Sequence, residues 1–235
     1  NSLSSGKIQP NALIIEESGV VWAGTWAGGL NKYLPDKNIF KRYIHNPNDT
    51  SSISNNNVIA LHKDDNYLWL GTFGGGLNRL NIETDELKVY TEIDGLPNNI
   101  VFAVHSDEEG YLWLSTDNGL SRFNPETEEF LNFDINDGLP SNQFFWGSSF
   151  VSPTGEMFFG GTDGMIKFHP SNIMQSSYTP PLYITDVKEY NQSLSFTKSS
   201  AFISRLEFSY KVKSFQIEFT SLDYSVPQKN QFAYR

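Results

Sequence analysis

The chain has 235 residues, a formal net charge of −10 and no cysteine, and 14% of its residues are aromatic. This length is enough for one large or two ordinary domains, and the aromatic content is typical of β-rich proteins. So acidic a chain, with no basic cluster, is a poor partner for nucleic acid or an anionic membrane. The absence of cysteine excludes disulfides, thiolate metal sites and cysteine nucleophiles.

The sequence contains no candidate membrane segment. No apolar run approaches the roughly 18 residues that a membrane span needs, and the first residues lack the charged-then-apolar layout of a signal peptide. We therefore expect any export signal or membrane anchor of the parent protein to lie outside this sequence.

One motif recurs along the first three quarters of the chain. Its copies read VVWAGTWAGGLNKY, YLWLGTFGGGLNRL, YLWLSTDNGLSRF and EMFFGGTDGMIKF, and they begin at Val20, Tyr67, Tyr111 and Glu156. The aromatic residue at the third position recurs at spacings of 47, 44 and 45 residues, as Trp22, Trp69, Trp113 and Phe158. A unit of about 45 residues made of short strands matches one four-stranded blade of a β-propeller.

The third copy shows how such a unit is divided. Four runs rich in aromatic and β-branched residues, at 98–106, 111–116, 119–124 and 129–134, are separated by DEEG, DNG and PETEE. Short runs bounded by Gly, Pro, Asn and Asp are typical of antiparallel strands joined by tight turns. We therefore predict an all-β fold, with the recurring aromatic residues filling the space between blades.

The W-x-G-T-x-x-G-G-L unit, followed by D-G-L-P, resembles the two-component regulator propeller repeat. The segments PPLYITDVKEYN and FSYKVKSFQIEFTSLDYSVPQKNQFAYR resemble the start of the Y_Y_Y domain, an immunoglobulin-like sandwich. The resemblance implies two regions, with propeller blades over 1–176 and a truncated sandwich over 177–235. This order is found in the periplasmic sensors of hybrid two-component systems of Bacteroides-type bacteria.

The resemblance implies a fragment of a receptor rather than an enzyme. Such a sensor recognises oligosaccharides, relays the signal through the sandwich to the membrane and acts as a dimer, while the histidine kinase lies in a separate cytoplasmic region. Family members have more blades than the four counted here. We therefore expect the isolated chain to form an open arc or to pair its free sheet edges with another copy.

Blade topology predicts one face that carries the variable loops. The loop entering the first strand and the turn joining the second to the third lie on the same face, and function usually sits on loops held by a rigid scaffold. Sugars are bound by aromatic stacking together with amide and carboxylate hydrogen bonds. The candidate ligand-binding residues on this face are Trp26, Asn56, Phe73, Asn99, Asp117, Asn142, Gln143 and Trp146. Alternatively, the asparagines cap turns and the aromatic residues cover glycine-rich backbone.

Two other functions remain open at this point, a propeller-type lyase or glycosidase and a non-catalytic protein-interaction scaffold. We predict no catalytic residue, no metal and no cofactor. His62 and His105 recur at one position of the repeat, which indicates a structural role, and the sequence has no EF-hand loop, P-loop, G-x-S-x-G or H-E-x-x-H motif. The sequence does not identify the sugar.

Overall fold

The structure is a computed structural model, and it describes residues 2–4, 7–173, 181–189, 192–193, 205, 207–208, 210 and 212–221. The chain divides into two compact units, Asn1–Ile173 and Met174–Arg235. The predicted boundary at 176/177 and the predicted strand at the end of the chain lie outside the described residues. In the described part, regular helix occurs only as one-turn 3-10 segments, at Pro35–Lys37, Glu92–Asp94, Ile135–Asp137 and Pro170–Asn172.

The first unit consists of four antiparallel groups of strands in chain order, which we call blades 1 to 4. A parallel bridge between Asn11 and Ala60 joins blades 1 and 2 into one eight-stranded sheet. Blade 1 contains β1 (Ile8–Ile15), β2 (Val21–Thr25), β3 (Gly29–Leu34) and β4 (Ile39–Tyr43). Blade 2 contains β5 (Val58–Asp64), β6 (Tyr67–Thr72), β7 (Leu77–Asn81) and β8 (Leu87–Tyr90). Blade 3 contains β9 (Val101–Ser106), β10 (Leu112–Thr116), β11 (Gly119–Asn124) and β12 (Glu129–Phe133). Blade 4 contains β13 (Phe144–Val151), β14 (Met157–Gly161) and β15 (Gly164–Phe168).

The all-β, propeller-type fold is confirmed, with one difference in blade 4. The predicted strands of blade 3 match β9 to β12 to within three residues at each end. Blade 4 has three strands rather than four within the described residues. After β15 the chain turns at Pro170–Asn172, where the other blades continue into an outer strand.

The recurring tryptophans lie between blades, as predicted. Trp22, Trp69 and Trp113 are at most 1% exposed and pair with equivalent neighbours in their sheets. Trp69 packs edge-on against Phe123 of blade 3, with 5.8 Å between ring centroids. Phe158 holds the same register in blade 4 but is only partly buried. The recurring aromatic residue is therefore fully buried only where a following blade covers it.

The first strands of the four blades meet around a common axis. β1 contacts β5, β5 contacts β9, β9 contacts β13, and β13 contacts β1. The Nδ2 of Asn11 in β1 donates to Oγ of Ser149 in β13 at 3.1 Å. The expected open arc is therefore wrong at the axis, where side chains of the first and last blades touch. Pairing with another copy stays a prediction.

The second unit contributes a small antiparallel sheet in its described part. β16 (Leu182–Glu189) lies between β17 (Gln192–Ser193) and β18 (Phe215–Ser221). The Nζ of Lys188 in β16 contacts the carboxylates of Asp186 and of Glu218 in β18. The rest of the predicted sandwich lies outside the described residues.

Candidate functional site

The variable loops gather on one face of the first unit, which we call the loop face. It comprises the turns 26–28, 73–76, 117–118 and 162–163 and the loops 54–57, 97–100 and 140–143. Backbone amides of the turns bond carbonyls of the loop that enters the next blade, at 2.8 Å for Gly29 to Asn56 and for Gly76 to Asn99. The predicted sharing of one face by these loops and turns is thus seen in the structure.

Glycine is required where these turns approach the outer strand of their own blade. Gly76 has a φ of +77°, and a Cβ there would lie 2.1 Å from the carbonyl oxygen of Tyr90. Gly119 has a φ of +98°, and its Cβ would lie 2.4 Å from the carbonyl oxygen of Phe133. Both the backbone conformation and the space exclude a side chain, so the glycines are explained by the scaffold and not by a ligand.

Aromatic side chains from all four blades meet at the centre of the loop face. The ring centroids of Trp26 and Phe73 are 5.3 Å apart, and each lies 6.3 Å from that of Trp146. Phe102 of blade 3 lies 6.5 Å from Trp146. Trp146 keeps 42% of its surface exposed, and the neighbouring Phe145 keeps 53%. We call these five residues the aromatic cluster.

A cavity of about 230 Å³ adjoins the aromatic cluster on the side of blades 3 and 4. Its lining residues are Phe102, Asp117, Gln143, Phe144, Phe145, Trp146 and Thr162. Three of the eight predicted residues, Asp117, Gln143 and Trp146, therefore line one concave surface, and Trp26 and Phe73 contact its Trp146 wall.

The three predicted asparagines hold the loops in place. The Oδ1 atoms of Asn56, Asn99 and Asn142 accept hydrogen bonds from the backbone amides of His45, Glu92 and Ile135, at 2.8, 3.0 and 2.9 Å. These contacts fit the alternative in which asparagine caps a turn. Their oxygen atoms already have partners within the fold.

Asp117 and Gln143 differ from the asparagines. In the described part of the chain, neither side chain has a hydrogen bond or an ion pair. Asp117 is half-buried at the turn after β10, and Gln143 is exposed at the entry to β13. The fold does not use these polar groups, so they are available to a ligand.

The histidines near the axis are buried by their surroundings. Nε2 of His105 lies 2.9 Å from Oγ of Ser149. Burial lowers the pKa of His105 to about 4, with a smaller contribution from His62. Burial also lowers the pKa of His62. Both are therefore neutral at pH 7, and among the described residues no group of three or more His, Cys, Asp or Glu is arranged to hold a metal ion.

A larger cavity of about 360 Å³ lies between blades 3 and 4, around the turns 106–109 and 151–155. Its apolar lining includes Val151 and Met157, and its polar lining includes Asp107 and His169. Asp107 is committed to the fold, because its carboxylate accepts from the backbone amides of Glu109 and Tyr111 and from Nε1 of Trp113. The loop face is thus the better candidate, since it combines free polar groups with exposed aromatic rings.

Four residues of the cavity lining were missed by reasoning from the sequence: Phe102, Phe144, Phe145 and Thr162. Phe102 lies within β9 and resembles an ordinary core residue, and Phe145 is masked by the adjacent Trp146 in the run FFWG. Thr162 holds the turn position of Trp26, Phe73 and Asp117 in the other blades, because the second strand of blade 4 closes on Gly161 where those blades have threonine. An alignment on the threonine hides this equivalence, because blade 4 reads FFGGTDG with a second glycine before Thr162.

The comparisons with known proteins agree with the architecture. Residues 95–118 match the family described as two component regulator propeller, which confirms the predicted resemblance. A curated protein of Formosa agariphila named Histidine kinase P4 is 31% identical over 85 residues, which are 33% of this chain and 6% of that protein.

Two solved structures share the fold. Each is the extracellular domain of a protein of B. thetaiotaomicron assigned as a hybrid two component system. BT3049 aligns over 97% of this chain and 31% of its own, with a TM-score of 0.71 and 23% identity. BT4673 aligns over 88% and 27%, with a TM-score of 0.51 and 20% identity. The chain thus spans less than a third of each of these proteins. Among its described residues, the chain has no helix of the length and apolarity that a membrane crossing needs.

Proposed function

Because the chain carries a two-component regulator propeller repeat, we propose that it belongs to the extracytoplasmic sensing region of a hybrid two-component sensor histidine kinase. The similarity to Histidine kinase P4 and to extracellular domains of hybrid two-component systems supports this proposal. The site is periplasmic, and the chain itself is not an enzyme. Kinase activity belongs to another region of the parent protein.

The ligand is an oligosaccharide, and the aromatic cluster is the observation that carries this assignment. Four blades contribute to the cluster, and its exposed rings offer flat apolar surfaces that suit the C–H faces of a sugar. Beside them, Asp117 and Gln143 offer a carboxylate and an amide for hydroxyl groups. A sugar ring needs both an apolar surface for its C–H faces and polar partners for its hydroxyl groups.

The signal passes through the Y_Y_Y sandwich, to which we assign the second unit, and on to the membrane within a dimer. For a ligand to produce a signal, it must bind one of two arrangements of the receptor more tightly than the other. The three antiparallel strands β17, β16 and β18 are consistent with part of a sandwich.

A glycosidase is the second candidate, and the cavity argues against it. Hydrolysis by the usual route needs two carboxyl groups about 5 to 10 Å apart around the scissile bond. Asp117 is the one carboxylate among the lining residues of this cavity. The aromatic cluster likewise fits a sugar better than it fits a scaffold that binds partners by the edges of its blades.

The test is a calorimetric titration of the purified protein with a panel of oligosaccharides. Trp146→Ala and Trp26→Ala should each weaken binding by about fivefold to tenfold, because each removes a stacking surface. Phe150→Ala is the matched control, since Phe150 is 59% exposed but lies outside the aromatic cluster.

Unchanged affinity in both tryptophan variants would place the ligand elsewhere on the receptor. Chromatography of the sugars after incubation with the protein distinguishes a sensor from an enzyme, because shortened products would indicate a glycosidase or lyase. Thermal midpoints of the variants show whether a loss of binding reflects a loss of folding.

A further inference from the structure

We propose that the loop face selects uncharged sugars over glycans bearing carboxylate or sulfate groups, and that Asp117 sets this preference. The inference rests on the proposed function, because it concerns the class of sugar bound at the same site. It follows from how aromatic and acidic residues are divided among the blades.

One position of the repeat carries two kinds of chemistry. The residue after the conserved threonine is Trp26 in blade 1 and Phe73 in blade 2, but Asp117 in blade 3 and Asp163 in blade 4. The strand pairing places Trp26, Phe73 and Asp117 equivalently, one residue after the second strand, whereas blade 4 has Thr162 at that place and Asp163 one residue further along the same turn. The loop face is therefore aromatic on one half and acidic on the other.

The cavity lies on the acidic half and is joined to the aromatic half by Trp146. Trp146 lines the cavity and also lies 6.3 Å from both Trp26 and Phe73. The volume of the cavity, about 230 Å³, is smaller than that of pockets for drug-sized ligands, which is about 300–1,000 Å³. The cavity thus suits a single terminal ring, with the next ring of the glycan lying against the aromatic residues.

The polar groups of the cavity suit hydroxyl groups. The carboxylate of Asp117 accepts hydrogen bonds and cannot donate them, whereas sugar hydroxyls donate readily. The amide of Gln143 can both donate and accept. Thr162 is already engaged, since its Oγ1 lies 3.0 Å from Oγ of Ser141 and donates to Asp163. Asp117 is therefore the strongest free acceptor for the ligand in the cavity.

An anionic sugar would meet no compensating charge there. No lysine or arginine is among the lining residues, so a carboxylate or sulfate entering the cavity would lose its hydration without gaining a cationic partner. It would also face the like charge of Asp117, and the chain as a whole carries a net charge of −10. Both effects disfavour acidic glycans.

The experiment titrates the purified protein with matched oligosaccharides of equal length. The neutral probes are gluco-, galacto-, manno-, xylo- and arabino-oligosaccharides, and each is paired with a carboxylated or sulfated counterpart. We expect the neutral member of the tightest-binding pair to bind at least tenfold more tightly than its acidic counterpart in 0.15 M salt.

Two isosteric variants locate the cause of the preference. Asp117→Asn should weaken binding of the neutral sugar by about tenfold, because it removes a charged acceptor, and should lower the neutral-to-acidic ratio severalfold, because the like charge is gone. Asp163→Asn makes the same change of charge in the corresponding turn of blade 4, at a carboxylate that does not line the cavity. In the Asp163→Asn variant the neutral sugar should still bind at least tenfold more tightly than its acidic counterpart.

The outcomes distinguish this inference from the proposed function. Equal or tighter binding of the acidic member overturns the preference but leaves a sugar sensor. A ratio unchanged by Asp117→Asn, or lowered equally by Asp163→Asn, overturns the role of Asp117. If no oligosaccharide of either kind binds, the proposed function fails and this inference fails with it.

Discussion

Blades 3 and 4 are built from the same repeat but bury its aromatic position to different extents. Trp113 is 1% exposed and packs against Phe133 and Phe168, with centroid distances of 5.7 and 4.8 Å. Phe158, in the same register of blade 4, is only partly buried, and it contacts Phe150 of its own blade. Trp113 is covered by blade 4, while no blade in the described part of the chain covers Phe158. In a radial array, burial is decided by the neighbouring sheet and not by the strand's own sequence.

The first strands of the blades repeat this contrast. β5 and β9 begin with runs of four buried residues. β13 is mostly exposed, with Phe145 at 53% and Phe150 at 59%. Exposed apolar rings on a sheet face are expected where a further element packs. The open side of blade 4 is thus a sheet face suited to a further packing element.

The largest expected effect comes from adjacent phenylalanines on opposite faces of β14. Phe159 is fully buried and faces blade 3, whereas Phe158 faces the open side. Phe159→Ala should lower the free energy of unfolding by about 3–5 kcal/mol. Phe158→Ala should lower it by about 1 kcal/mol or less.

Urea unfolding of the two variants beside the wild-type protein measures the difference. Similar losses in both would mean that the open side of blade 4 is covered in solution, for example by another copy of the chain. The comparison therefore also tests the predicted pairing between copies.

Much of this architecture could be predicted from the sequence, because the same pattern of strands and turns occurs in each copy of the repeat. The predicted strand 119–124 coincides with β11. The loop face followed from antiparallel topology alone, which places alternate connections at the same end of a sheet. Strand positions and the shared face of the loops depend on local patterns that recur along the chain, so a single sequence is enough to predict them.

What the sequence could not show depends on contacts between distant residues or on small changes of loop length. The meeting of Trp26 with Trp146 requires blades 1 and 4 to share an axis. Trp113 donates from Nε1 to Asp107, but Nε1 of Trp69 has no partner among the described residues. The turn before Trp69 is one residue shorter, and Asp64, which stands in the register of Asp107, pairs with Tyr67 and leaves the indole without a partner.

The next largest effect concerns the axis and appears as a dependence on pH. Burial lowers the pKa of His105 to about 4, while a histidine in the unfolded chain has a pKa of about 6.5. As the pH falls below about 6.5, the unfolded state takes up the proton first, so stability is lost between about pH 6.5 and 4. The loss approaches about 3 kcal/mol at the acidic end.

Unfolding midpoints measured from pH 7.5 to 4.5 test this expectation. His105→Gln should flatten the dependence, whereas His169→Gln, in the turn after β15, should leave it unchanged. An equally steep loss in His105→Gln would assign the dependence to other groups, with His62 the first to examine because burial lowers its pKa as well.

The smallest expected effect concerns two equivalent contacts at the outer rim. The hydroxyl of Tyr43 donates to Asp85 of blade 2 at 2.6 Å, and that of Tyr90 donates to Glu128 of blade 3 at 2.9 Å. Each carboxylate belongs to the outer turn of the following blade, at a residue with positive φ. Burial and the bond to Glu128 raise the pKa of Tyr90, so its hydroxyl stays protonated and continues to donate.

Tyr43→Phe and Tyr90→Phe should each lower the free energy of unfolding by about 1 kcal/mol, because each removes one hydrogen bond between blades. Tyr33→Phe is the control, since the hydroxyl of Tyr33 bonds Asn38 within blade 1 at an exposed position and should contribute under about 0.5 kcal/mol. Blade 3 carries Phe133 at the equivalent position and so has no hydroxyl to offer blade 4. If the two tyrosine variants lose no more than Tyr33→Phe, the tyrosine hydroxyls do not hold the blades together, and of the polar rim contacts only the ion pairs of Lys41 with Asp85 and of Arg79 and Lys88 with Glu128 remain to be tested.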